Sequence, residues 1–196
     1  AALAENYRFT SEQVYETPLE NQVRTLLDVL RSIATNYIQG TPNGIFVDRD
    51  SGLVWSPSHY TWMDTNYPAG TPRCGYPIEI QALWIRLLRQ LSRLAPAEPE
   101  WEKWALKAEQ SLQRYFWLPD NKWFADGLWA EDKKPAAQAR VDDALRPHQF
   151  LPISFGLFDA EKSQRALRAA LRHLVIPGAM RSLAPLPVSC LAPVFG

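Results

Sequence analysis

Apolar side chains return every three or four positions along most of this chain, and each such stretch predicts a helix. The first opens at Thr17-Pro18-Leu19-Glu20, where threonine caps, proline takes the first helical position and glutamate completes a capping box. Val23, Leu26, Leu27, Leu30, Ile33, Ala34, Tyr37 and Ile38 form its stripe, and Gly40 ends it. A second helix starts at Pro77, with Ile80, Leu83, Trp84, Leu87, Leu88, Leu91 and Leu94 in phase. Pro96-Ala97-Glu98-Pro99 breaks it, and Trp101, Trp104, Ala105, Ala108, Leu112, Tyr115 and Phe116 mark a third. The two are expected to fold back as a helical hairpin. Arg146 to Phe158 reads as a buried helix that Pro152 must kink. Asp159 caps a fifth, running through Val175 with Leu167, Ala170, Leu171 and Leu174 inward.

Between the helices the period is lost. Ile45-Phe46-Val47 and Leu53-Val54-Trp55 flank a turn containing Gly52, which predicts a short β-hairpin. Lys122-Trp123-Phe124 and Leu128-Trp129-Ala130 predict a second, turning at Asp126-Gly127, followed by a polar linker to residue 145. Ser56 to Arg73 is a long loop rich in proline, glycine and aromatics, and the tail beyond Ile176-Pro177-Gly178 reads as extended. The expected architecture is all-α: a helix-hairpin array with short β-hairpins in its loops.

Composition narrows the function classes. The 196 residues carry 21 basic and 21 acidic side chains, so no basic surface speaks for nucleic acid or an anionic membrane. Cys74 and Cys190 make neither a metal quartet nor a disulfide framework. No run of apolar residues is long enough to span a bilayer, and the start, which is not Met, lacks a signal-peptide pattern. The chain therefore reads as a cytoplasmic protein, either processed or excised from a longer one. Eight tryptophans are an excess, suited to cores and equally to the flat apolar faces of sugar rings.

Two stretches carry chemistry. In Thr61-Trp62-Met63-Asp64 an acid follows an indole inside the long loop. A half-desolvated carboxyl has a raised pKa, as a general acid needs, although an aspartate here serves equally well to bond turn amides. Arg73 offers a planar fork of donors for hydroxyls or for a carboxylate partner. Glu79, in the first turn of a helix, either faces a ligand or complements the helix dipole. Val141-Asp142-Asp143-Ala144-Leu145-Arg146-Pro147-His148-Gln149 is the second stretch. Its His148 reads as a structural, hydrogen-bonded residue before it reads as a catalyst. No nucleophile elbow, phosphate loop or zinc motif is present, and no metal or organic cofactor is implied.

The run Thr61-Trp62-Met63-Asp64, then Thr71-Pro72-Arg73, Gly75 and Pro77-Ile78-Glu79-Ile80-Gln81-Ala82-Leu83-Trp84, resembles the glucosidase part of glycogen debranching enzymes, the amylo-α-1,6-glucosidase family. Asp143 with Leu145-Arg146-Pro147-His148-Gln149 resembles a second family block, and Ala179-Met180-Arg181-Ser182-Leu183-Ala184-Pro185 a third. Tyr76 stands where many members carry Lys, Gln81 and His148 where Asn is common, and the loop between Asp64 and Thr71 is short.

The resemblance implies part of an (α/α)6 barrel over residues 1–196 that lacks the later helices, and hydrolysis of α-1,6-linked glucose at glycogen branch points with inversion. It makes Asp64 the general acid. Trp62, Arg73 and Glu79 match one wall of the sugar pocket, with Trp55 beside them, and Asp143, Arg146 and Gln149 match the other. The second catalytic carboxylate of the family comes from a later segment, so Glu79 or Asp143 would have to serve as base if the chain acts alone. The implied partner is an α-glucan, glycogen or a limit dextrin. A half-ring with open helix faces is expected to self-associate or to pair with a complementing chain. The alternative reading is a non-catalytic α-glucan-binding fragment or an inactive remnant.

Overall fold

The computed structural model describes residues 24–61 and 72–189. Helix α1 spans Leu26–Gln39. Its first turn is closed by a capping box in which Thr25 Oγ1 accepts from the Asp28 amide at 3.1 Å and Asp28 Oδ2 accepts from the Thr25 amide at 3.0 Å. The start expected at Thr17 lies outside the described residues, as do Trp62 and Asp64. Strands β1, Phe46–Val47, and β2, Val54–Trp55, form the expected hairpin, with Gly52 in its turn at φ 74°.

Strand β3, Gly75–Pro77, runs directly into α2, Ile78–Leu94. The 95–99 break separates α2 from α3, Glu100–Phe116, and the two pack as the expected helical hairpin. Helix α1 is tied to this turn by Arg31, whose Nη2 and Nε donate to Glu98 at 2.6 and 3.3 Å, while Trp101 Nε1 donates to the same carboxylate at 2.7 Å. One buried cluster joins all three helices to the β1–β2 hairpin through Leu27, Ala34, Leu53, Trp84, Leu88 and Leu112.

The all-α expectation fails from residue 117 onward. Among the described residues there are four small antiparallel sheets, so the fold is mixed α and β. Strands β4, Trp117–Leu118, and β5, Trp123–Phe124, pair with each other. Strand β6, Gly127–Trp129, lies between β3 and β7, Arg140–Asp142, in a three-stranded sheet. The hairpin expected across Asp126-Gly127 does not form. Gly127 lacks the positive φ that a tight two-residue turn requires. The amide and carbonyl of Asp126 are instead bonded to Asp142 O and to the Ile78 amide, at 2.9 and 3.0 Å. The polar linker thus contributes a strand, because its backbone completes the edge of β6.

The buried helix expected over 146–158 is a 3₁₀ turn, Pro147–Gln149, followed by the short α4, Phe150–Ser154. Pro152 removes a donor and the segment cannot extend. Helix α5, Ala160–His173, is capped as expected, with Asp159 Oδ1 accepting from the Lys162 amide at 2.8 Å. Its buried face is Ala166, Ala170 and Leu174, whereas Leu167 and Leu171 point outward. The tail first turns through a hairpin of β8, Val175–Ile176, and β9, Ala179–Met180. Among the described residues no helix is long and apolar enough to cross a membrane.

Candidate functional site

Three features of the sequence put a charged group under the β3–β6–β7 sheet. Gly75, at φ 121°, lets β3 pass against β6, and Arg73 just before it adopts a left-handed φ of 50° that turns its side chain inward. Glu79 lies in the first turn of α2. The uncapped amide of Ile78, which begins that helix, is satisfied by the carbonyl of Asp126. Arg73 and Glu79 then meet in a buried two-pronged pair: Nη1 donates to Oε1, and Nη2 donates to Oε2 at 2.8 Å. Nη2 also donates to Asp126 O at 3.0 Å, and Nε lies 3.2 Å from Asp126 Oδ2.

From the other side, segment 142–149 brings Arg146 and His148 to the same aspartate. Arg146 Nε is 3.5 Å from Asp126 Oδ2, and His148 Nδ1 is 2.5 Å from Oδ1. Burial works against ionising Asp126, but Arg73, His148 and Arg146 outweigh it and hold its carboxyl below the ordinary value. Since Asp126 stays ionised, the His148 nitrogen facing it carries the proton. Burial also opposes the charge on Arg73, and Asp126 and Glu79 more than compensate, so it remains a cation. Asp142 behaves oppositely: burial and then the nearby Asp126 push it up to about 6. Its Oδ1 accepts from the Ala144 amide at 3.1 Å.

Some donors in this cluster are left over. Gln149 Oε1 accepts from the Phe124 amide at 3.3 Å, but its buried Nε2 has no partner among the described residues. Arg146 likewise makes no hydrogen bond among the described residues, neither through its buried Nε nor through its terminal nitrogens, although its side chain is only 11% exposed. Unpaired buried donors cost free energy unless a ligand takes them. The crevice between Arg73, Tyr76, Trp129 and Asp142 is about 10 Å³, room for about one water.

The structure thus brings together Arg73, Glu79, Arg146 and Gln149 from the sequence-derived set. It places Trp55 and Asp143 elsewhere. Trp55 is 5% exposed, stacked on Phe46 at 5.4 Å, with Nε1 donating to Ala130 O at 2.7 Å. Asp143 faces the tail, where its oxygens accept from the Ser189 amide at 2.8 Å and from the Ser189 hydroxyl at 2.7 Å. Asp64 and Trp62 lie outside the described residues. Sequence reasoning missed Asp126, which it treated as a turn residue. The available signal was its place in Trp123-Phe124-Ala125-Asp126, an acid closing an apolar run, which is buried only when paired.

Comparison with curated proteins gives no match. A family model described as amylo-alpha-1,6-glucosidase matches residues 4–190, nearly the whole chain. The match makes this a glycoside-hydrolase-related domain. By that match the chain belongs to the amylo-alpha-1,6-glucosidase family.

Proposed function

We propose that this chain is part of a glycosidase that removes α-1,6-linked glucose from glycogen branch points by inverting hydrolysis. The observation that carries the reading is the convergence of two motif blocks, residues 72–79 and 143–149, on one buried cluster with unpaired donors at Arg146 and Gln149. Those donors suit sugar hydroxyls, whose recognition is largely a matter of directed hydrogen bonds. Asp64, from its place in the Thr61-Trp62-Met63-Asp64 motif, is the general acid and protonates the departing glycosidic oxygen. In an inverting enzyme a second carboxylate about 6.5–9.5 Å away takes a proton from water as that water attacks the anomeric carbon.

Neither acid of the two motif blocks is spare for that second role. Both oxygens of Glu79 accept from Arg73, and both oxygens of Asp143 accept from Ser189. This favours a second reading, in which the chain by itself binds α-glucan without cleaving it. Incubation with a glycogen limit dextrin separates the two. Glucose release that disappears in Asp64→Asn supports hydrolysis with that acid, and unchanged release in the mutant removes the assignment. Retention on immobilised glycogen without any glucose release supports binding alone.

A further inference from the structure

Asp126 engages other segments through every polar group it has. Its amide donates to Asp142 O, and its carbonyl accepts from the Ile78 amide and from Arg73. Its carboxylate faces His148 through Oδ1 and both arginines through Oδ2, with its side chain 1% exposed. The two arginines are held differently. All three nitrogens of the Arg73 guanidinium are engaged, by Glu79 and Asp126. Arg146 meets Asp126 only on its Nε side, as an ion pair at 3.5 Å with no hydrogen bond, and its terminal nitrogens are left without a partner among the described residues.

Both guanidinium groups sit within 3.5 Å of a single oxygen, so without that negative charge they repel each other in a poorly solvated site. We infer that Asp126 is the positioning residue for Arg146: its charge, 3.5 Å from Nε, draws that side of the guanidinium inward and so presents the terminal edge to substrate hydroxyls. The inference rests on the reading that Arg146 lines the sugar-binding wall. Asp126 itself touches no substrate. It acts through the arginine, and it locks the His148 ring in the same step.

The test is a double-mutant cycle on the full chain, read as affinity for a glycogen limit dextrin. Asp126→Asn keeps the volume and removes the charge, and Arg146→Gln removes the donor edge. Each single change is expected to weaken binding about tenfold, the scale of one hydrogen bond to a charged group. The double variant is expected to lose no more than either single one, because both remove the same contact. Losses that multiply, or wild-type affinity in Asp126→Asn while Arg146→Gln is weak, overturn the positioning role and leave the sugar reading standing. Wild-type affinity in Arg146→Gln instead removes the sugar reading. The orientation is read independently by NMR of the wild-type protein, where a protected Arg146 Nε–H signal and a far-downfield His148 Nδ1–H signal are expected at alkaline pH. This reading does not depend on the variants folding. Exchange of the Arg146 signal as fast as that of a free arginine overturns the inference.

Discussion

At Gly75 a single missing methyl group decides whether the site can be built. A Cβ there would lie 2.2 Å from Leu128 O and 2.7 Å from Ala130 N, and its φ of 121° is one that side chains rarely adopt. Both obstacles are backbone atoms of the neighbouring strand and cannot rotate aside. Gly75→Ala is therefore expected to cost more than about 3 kcal/mol, seen as a fall in the urea midpoint. Gly127→Ala, whose Cβ meets Tyr76 O at 3.3 Å with no positive φ, is expected to cost clearly less. Equal costs would mean that the strand spacing relaxes and that Gly75 is not the constraint. A glycine in a motif can be read from sequence, but its φ and its obstacles cannot, because they belong to a strand fifty residues further on. Trp55 teaches the same lesson. Its composition suits a sugar platform, and only the Ala130 carbonyl and the Phe46 ring, both supplied by the folded chain, show that its indole is used inside.

At the scale of elements, Gln81 explains how a helix holds a two-residue strand. Its side-chain oxygen accepts from the Val54 amide at 2.8 Å, and its Nε2 donates to Val54 O at 2.9 Å and Pro77 O at 3.1 Å. A helix side chain thus stands in for the neighbouring strand that β2 lacks on that edge, inside a core where Gln81 is fully buried. Gln81→Leu fills the space but takes the side-chain partner from the Val54 amide and from the Val54 and Pro77 carbonyls. It is expected to destabilise by about 2–4 kcal/mol and to leave the far-UV helical signal of the folded protein intact. A variant as stable as the parent would show that solvent or a shifted backbone replaces those bonds. This coupling also shows which elements were legible. The α2, α3 and α5 helices, the body of α1 and the β1–β2 hairpin follow from local pattern, since periodicity and caps act within a few residues, although the cap that starts α1 is Thr25 and not the expected Thr17. The pairing of β6 with β3 and β7, and not with β5, follows from Asp126 spending its backbone on Ile78 and Asp142, partners that no local window contains. On α5 the period was right and its phase was not. Small alanines, Ala166 and Ala170, let the helix sit close to its neighbours, and the larger Leu167 and Leu171 were displaced to the surface.

Across the whole molecule, the buried cluster sets how stability responds to pH. Arg73 and Arg146 are matched in charge by Glu79 and Asp126, and Asp142 is a surplus anion beside them. That surplus is why burial and Asp126 lift Asp142 to about 6 while Asp126 is held low. The unfolded chain releases the Asp142 proton near its ordinary 3.8, so between that value and about 6 the folded protein binds more protons than the unfolded one. Stability from this group is therefore complete at the acid end of the window and declines as pH rises through it, by about 3 kcal/mol in total. Asp126 works in the other direction: its contribution is present above the ordinary aspartate value and is lost as pH falls below it. Asp142→Asn keeps an oxygen for the Ala144 amide and cannot ionise. It is expected to raise the urea midpoint at about pH 7.5 and to leave it unchanged at about pH 4, where the wild-type carboxyl is already protonated. A gain of equal size at both pH values would trace the effect to packing, and a loss at pH 7.5 would show that the ionised Asp142 is needed by Arg73 or Arg146.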